Sequence, residues 1–224
     1  MASPLRGVVL QAVLFDLDGT LIDSAGDLGR AANAMRVERG MAALPLEVYR
    51  PHGGSGARGM LGRAFGASPG EPAYEDLKRE FLVLYETLMF DTTAPFAGVH
   101  DQLAGLGAIG LRWGIVTNKA ERLAAPLVQR LGLRCGVLVG GDTTAHAKPH
   151  PAPLLEAARR LGVEPARCLY VGDDERDVIA GRAAGMATAV AAWGYLGVGA
   201  HHGEWGADFC LDAPGDLLKT LGVP

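Results

Sequence analysis

Apolar residues in this chain come in short blocks joined by stretches of helical spacing. Ala12, Val13, Leu14 and Phe15 form an unbroken apolar run, as expected of a strand buried on both faces. Comparable blocks recur at Trp113-Gly114-Ile115-Val116, Val137-Leu138-Val139, Cys168-Leu169-Tyr170-Val171 and Thr188-Ala189-Val190. Between them, apolar positions fall three or four apart: Val99, Leu103 and Leu106, then Leu123, Leu127 and Leu131, then Leu154, Leu155, Ala158 and Leu161, then residues 178–184. Pro126 predicts a kink in the second of these helices or marks its first turn. Strands alternating with helices predict a parallel sheet covered on both faces.

Between the first block and Ala94 the pattern is different. Leu28, Ala31, Ala32 and Met35 predict a helix that ends at Gly40. Met60, Leu61 and Phe65 predict another behind Gly53-Gly54-Ser55-Gly56, and Ser68-Pro69-Gly70 breaks the chain. Tyr74, Leu77, Phe81, Leu84, Tyr85 and Leu88 trace one face of a long amphipathic helix. No strand is predicted from residue 24 to 93. The fold class is therefore α/β, a Rossmann-like parallel sheet core formed by residues 1–23 and 94–224. An all-helical cap domain, residues 24–93, is inserted just after the first strand.

Composition narrows the functional classes. A formal net charge of −4 on 224 residues lacks the basic footprint of a nucleic-acid binder. No apolar run approaches the roughly 20 residues of a membrane span, and residues 1–7 carry no apolar region of a signal peptide. Cys135, Cys168 and Cys210 are odd in number and far apart, which fits buried thiols in a reducing cytoplasm rather than a disulfide framework or zinc site. Monomer and homodimer are both compatible with this pattern.

Ligands of open parallel sheets bind beyond the carboxyl ends of the strands. Four polar clusters fall there: Asp16-Leu17-Asp18-Gly19-Thr20, Thr117-Asn118, Lys148-Pro149 and Gly172-Asp173-Asp174-Glu175-Arg176-Asp177. Two carboxylates as close as Asp16 and Asp18 disfavour each other's ionisation unless a cation or hydrogen bonds offset them. Phosphoryl transfer needs a nucleophile, donors for the equatorial oxygens, and cations. Asp16 or Asp18, the Thr117 hydroxyl with neighbouring N–H groups, and Lys148 meet those needs, and Asp173 is a hard oxygen ligand suited to Mg²⁺.

With these four clusters in order, the sequence resembles the haloacid dehalogenase-like phosphatases over essentially its whole length. Asp16 is then the implied nucleophile, forming an aspartyl-phosphate, and Asp18 the implied acid and base, with its backbone carbonyl on Mg²⁺. Thr117 and the Asn118 amide would hold phosphoryl oxygens, Lys148 would neutralise charge, and Asp16, Asp18 and Asp173 would ligate the metal. Asp174 or Asp177 would act through water or hold Lys148. Asp18 favours phosphate chemistry, because the dehalogenases of this family lack that second aspartate. The chain is similar to the phosphoglycolate phosphatases. It is more closely similar to phosphatases of N-acetylmuramic acid 6-phosphate, through Met35 to Gly40, Gly56 to Met60, Trp113 to Lys119, Gly172 to Asp177 with Gly181-Arg182, and Trp205 to Asp208. Pro51-His52-Gly53-Gly54 departs from that pattern.

The expected activity is Mg²⁺-dependent hydrolysis of a small phosphorylated metabolite. The glycine-rich segment has two readings: a flexible connection between cap helices, or a loop whose Gly54 and Ser55 amides, with Arg58, reach the non-reacting part of the substrate. Arg58 suits a carboxylate, which both 2-phosphoglycolate and the muramic acid sugar carry. A phosphoryl mutase would use the same four motifs. A catalytically idle regulatory module would show a damaged motif, and none is present.

Overall fold

The computed structural model describes residues 9–222. The stretch before Val9, read above as lacking a signal peptide, lies outside the described residues. At the centre is a six-stranded, wholly parallel sheet: β1 (Ala12–Phe15), β4 (Arg112–Val116), β5 (Leu138–Val139), β6 (Cys168–Gly172), β7 (Ala187–Ala191) and β8 (Phe209–Leu211), in spatial order β5-β4-β1-β6-β7-β8. β1 lies between β4 and β6, with Leu14 opposite Gly114 on one side and Tyr170 on the other.

All of β1 is buried, and its alternation sends side chains to both faces. Ala12 and Leu14 join Leu154, Ala157 and Ala158 of α6 (Ala152–Leu161) and Ala180 of α7 (Glu175–Ala183). Val13 and Phe15 join the opposite layer. That layer includes Leu103 and Leu106 of α4 (Val99–Ala108), Leu123 and Leu127 of α5 (Glu121–Arg130), and Leu217 of α8 (Asp216–Thr220). Full burial of a Leu or Phe side chain contributes about 1.5–3 kcal/mol, so this doubly covered strand is a rigid mounting for the loop after Phe15.

The helical segment comprises α1 (Ala25–Glu38), α2 (Gly56–Phe65) and α3 (Tyr74–Leu88), which pack on one another. Two short antiparallel strands, β2 (Ile22–Asp23) and β3 (Ala94–Pro95), pair where the chain enters and leaves it. Asp27 of α1 fastens this crossing: it is buried and accepts from the backbone N–H and hydroxyl groups of both Thr92 and Thr93.

Three details differ from the sequence pattern. β8 adds an edge strand of only three residues, too short to leave a periodic signal. The paired strands at the crossing have two residues each, below the length at which alternation can be read. Pro126 sits midway along α5 rather than in its first turn, and the helix continues through it.

Candidate active site

The strand ends converge as the polar clusters require. Asp16 extends β1, its N–H donating to the Val171 carbonyl of β6 at 2.9 Å. Asp173 follows β6 and is fully buried. Thr20 donates to one of its oxygens and the Tyr195 N–H to the other, both at 2.8 Å. Gly19 makes this approach possible. Its φ is +90°, and a Cβ there would fall 2.2 Å from Asp173 Oδ2.

Lys148 enters from the loop before α6 and is buried among acids. Its Nζ lies 2.7 Å from Asp177 Oδ1 and 2.9 Å from Asp16 Oδ1. Three N–H donors are available to an ammonium. The Val116 carbonyl (3.1 Å), the Tyr170 hydroxyl (2.8 Å) and Asp177 take well-aligned ones. Asp16 Oδ1 is held in the ion pair at 2.9 Å, off the line of a well-aligned hydrogen bond. Asp177 also accepts from Tyr170 and from the Asp174 N–H.

Asp16, Asp173 and Asp177 bring carboxylate oxygens within 4.8 Å of one another. Burial, reinforced by the Asp177 charge and only partly offset by Lys148, pushes Asp16 up to about 6. Burial and the charges of Asp16 and Asp177 drive Asp173 well above the carboxylate range. Three acids around one lysine leave surplus negative charge, so the donor set fits a cation. With Asp177 committed to Lys148, Asp16 and Asp173 are the carboxylates left for it.

Asp18 points elsewhere. Its carboxylate accepts from the Ser24 hydroxyl and lies 3.0 and 3.2 Å from Lys119 Nζ. Lys119 also donates to the Tyr85 hydroxyl of α3 at 2.9 Å. Burial pulls the Lys119 ammonium down, but the charge of Asp18 and contact with Tyr85 outweigh it and hold the ammonium above its ordinary range.

Above this floor is a cavity of about 370 Å³ between the strand ends and the helical segment. Asp16, Asp18, Thr117 and Asn118 line its base, Leu28, Phe81 and Leu82 an apolar wall, and Gly54, Ser55 and Arg58 its far side. The Asn118 side chain is turned to the Lys148 loop, donating to the Lys148 carbonyl at 3.0 Å and accepting its N–H at 2.9 Å. Thr117 is buried beside Asp16's strand, and its hydroxyl accepts the Lys119 N–H at 3.2 Å. Asp174 does not join the acidic centre. It caps α7 and pairs with Arg176, which donates to the Gly54 carbonyl across the cavity at 2.7 Å. The glycine-rich segment is an ordered 3₁₀ turn, residues Arg50–Ser55, with Gly53 packed on the Tyr195 ring so closely that a Cβ would come within 2.6 Å of it.

Residues 10–185 match the model of the haloacid dehalogenase-like hydrolase family. The chain belongs to the haloacid dehalogenase-like hydrolases. A phosphoglycolate phosphatase of Xanthomonas campestris is 48% identical over 216 residues, covering 96% of this chain and 97% of the relative. An N-acetylmuramic acid 6-phosphate phosphatase of Pseudomonas aeruginosa is 42% identical over 219 residues, covering 97% of each. Among solved structures, that of a predicted phosphoglycolate phosphatase from Haemophilus somnus superposes with a TM-score of 0.83 at 26% identity, covering 95% of this chain and 98% of the other. CbbY of Rhodobacter sphaeroides in complex with phosphate gives a TM-score of 0.74 at 27% identity, covering 96% and 100%.

Four side chains of this hydrolase's site escape a motif reading: Ser24, Tyr85, Lys119 and Tyr195. Lys119 directly follows Thr117-Asn118, so its place beside a strand-end loop was visible, although its direction was not. Tyr85 belongs to an apolar helix stripe, and only its hydroxyl is polar. Tyr195 reaches back more than 170 residues to the Ser24 N–H, a contact with no local signature.

Proposed function

We propose that this hydrolase is a Mg²⁺-dependent phosphomonoesterase of the cytoplasm, acting through an aspartyl-phosphate on Asp16. The observation that carries the reading is the convergence of Asp16, Asp173 and Asp177 in an acid-rich, cation-fitting floor, with Asp16 opening onto a 370 Å³ cavity. Asp16 and Asp173, with the Asp18 carbonyl, would hold Mg²⁺, a hard cation that prefers such oxygens. Bound there, Mg²⁺ supplies neutralising charge to the nucleophile and the phosphoryl oxygens. Lys148 adds a fixed cation on Asp16, held in place by Asp177 and Tyr170. Thr117 and the backbone N–H of Asn118 offer donors to the phosphoryl oxygens, since the Asn118 side chain is engaged with the Lys148 loop.

In this mechanism Asp16 attacks phosphorus while Asp18 protonates the departing oxygen. Asp18 then takes a proton from water as that water displaces phosphate from Asp16. Residues 24–93 act as a cap that excludes bulk water and selects the leaving group. Arg58 on the far side suits a carboxylate, a group shared by 2-phosphoglycolate and N-acetylmuramic acid 6-phosphate. The cavity falls in the range of about 300–1,000 Å³ used by larger small-molecule ligands, and its Leu28, Phe81 and Leu82 wall gives an acylated sugar surface to bury, which favours the sugar phosphate.

The test is phosphate release from both esters by purified protein, with Mg²⁺ and with EDTA. Turnover with Mg²⁺ that EDTA abolishes is expected. A kcat/KM ratio of about 100 corresponds to roughly 2.7 kcal/mol of differential transition-state binding and chooses the substrate. No phosphate from any metabolite in a broad panel overturns the reading.

A further inference from the structure

Lys119 occupies a position that the reaction just described does not use. Its side chain is 8% exposed, and its ammonium joins two parts of the molecule. On one side it meets both oxygens of Asp18, in the loop after β1. On the other it meets the hydroxyl of Tyr85, on helix α3 of the inserted segment, and sits 4.6 Å from the centre of that ring. Tyr85 is itself fixed: it is 1% exposed and stacks on Phe81 with a 2° angle between the rings. The remaining contact of the Asp18 carboxylate is Ser24, directly before α1. The Asp18 side chain is therefore clamped by one group from the strand-end loop of β4 and one from the start of the helical segment. Tyr85 of α3 thus shares the ammonium that holds Asp18.

We propose that Lys119 is a positioning residue for proton transfer, orienting the Asp18 carboxylate and making that orientation depend on the seating of α3 through Tyr85. The inference rests on the phosphomonoesterase reading. In the step concerned, the bond from phosphorus to an Asp16 oxygen forms as the bond to the ester oxygen breaks. The ester oxygen leaves with the electron pair and takes the proton of the Asp18 carboxyl, giving a free alcohol and an Asp18 carboxylate. A general acid contributes about 10²–10⁴-fold to such a step when aligned with the leaving oxygen, and misalignment of about an ångström forfeits much of it. Tying the carboxylate to α3 aligns the acid when the helices enclose the substrate.

This role has a signature that a structural or phosphate-binding lysine lacks. An alkoxide is a strong base and leaves poorly without a proton, whereas p-nitrophenolate leaves unaided. Loss of general-acid alignment therefore falls on alkyl esters and spares aryl ones. The experiment compares kcat/KM for p-nitrophenyl phosphate with that for the better of 2-phosphoglycolate and N-acetylmuramic acid 6-phosphate, in wild type, Lys119→Met and Tyr85→Phe. Thermal melts establish that each variant is folded. Lys119→Met should lose about 100-fold on the alkyl ester and about fivefold on the aryl ester. Tyr85→Phe, which removes one oxygen atom, should show the same bias at about tenfold against twofold. Equal losses on the two esters, or no loss on the alkyl ester, overturn the assignment. An unbiased Tyr85→Phe overturns the link to α3. A wild type that releases no phosphate from p-nitrophenyl phosphate or from any metabolite of the broad panel overturns the phosphomonoesterase reading instead, so the two failures are distinct.

Discussion

Removing the Asp16 carboxylate should stabilise the metal-free protein. Asp16 is pushed from an ordinary 3.8 up to about 6, by burial first and by the Asp177 charge, against the pull of Lys148. At about 1.4 kcal/mol for each tenfold change in proton affinity, the ionised carboxylate costs the fold about 3 kcal/mol at neutral pH. The sign follows from the protons bound. Between about pH 4 and 6 the folded state holds a proton on Asp16 that the unfolded chain has lost, so stability falls as pH rises through this window and is level above it. Asp16→Asn removes the charge and keeps the shape, although it also removes an attraction to Lys148. In EDTA at pH 8 the variant should exceed wild type by about 1–3 kcal/mol in urea denaturation, and the gap should close near pH 4. Millimolar Mg²⁺ should raise the stability of wild type more than that of the variant. A variant less stable than wild type at pH 8, or a difference that does not change between pH 4 and 8, refutes this reasoning.

Other perturbations address the surrounding structure. Gly19→Ala places a Cβ 2.2 Å from Asp173 Oδ2 at a φ of +90°; it should cost about 1–3 kcal/mol, lower activity more than 100-fold, and abolish the Mg²⁺-induced rise in melting temperature. Asp27→Ala leaves the buried donors of Thr93 unpaired, while those of the exposed Thr92 turn to water, and should cost about 1–3 kcal/mol at pH 7 by urea denaturation. Burial alone would raise the Asp27 pKa, but hydrogen bonds from Thr92 and Thr93 outweigh it and lower it, so this stability is complete above about pH 4 and is lost as pH falls through the lower folded value, a slope the variant should lack. Arg176→Ala cuts the bond to the Gly54 carbonyl, and amide exchange read by mass spectrometry should quicken in residues 50–58 with the sheet unaffected.

The sheet was legible because β1, β4, β6 and β7 are apolar runs that bury both faces, a pattern independent of their neighbours. The inserted helices were legible from the stripes through Met35 and Tyr85. β8 and the β2–β3 pair were not, since two or three residues cannot display a period and their pairing is decided by tertiary contact. In the site, sequence order placed Asp16, Thr117, Lys148 and Asp173 at strand ends, and the structure brings these ends together. Side-chain direction was hidden. Asp174 and Asp177 are both acids in one loop, yet the helical turn sends Asp177 inward to Lys148 and leaves Asp174 to cap α7 and hold Arg176. The two readings of the glycine-rich segment meet in an ordered turn, with the Gly54 carbonyl tied to the core and Ser55 and Arg58 at the cavity.

The proposed mechanism puts the phosphoryl group on Asp16 in transit. Wild-type protein turning over its best ester can be quenched in acid within milliseconds, digested with protease and sequenced by mass spectrometry. One phosphorylated peptide is expected, spanning Asp16, labile to hydroxylamine and absent from Asp16→Asn. Steady release of phosphate with that peptide unmodified, together with an active Asp16→Asn, would show that Asp16 does not carry the phosphoryl group.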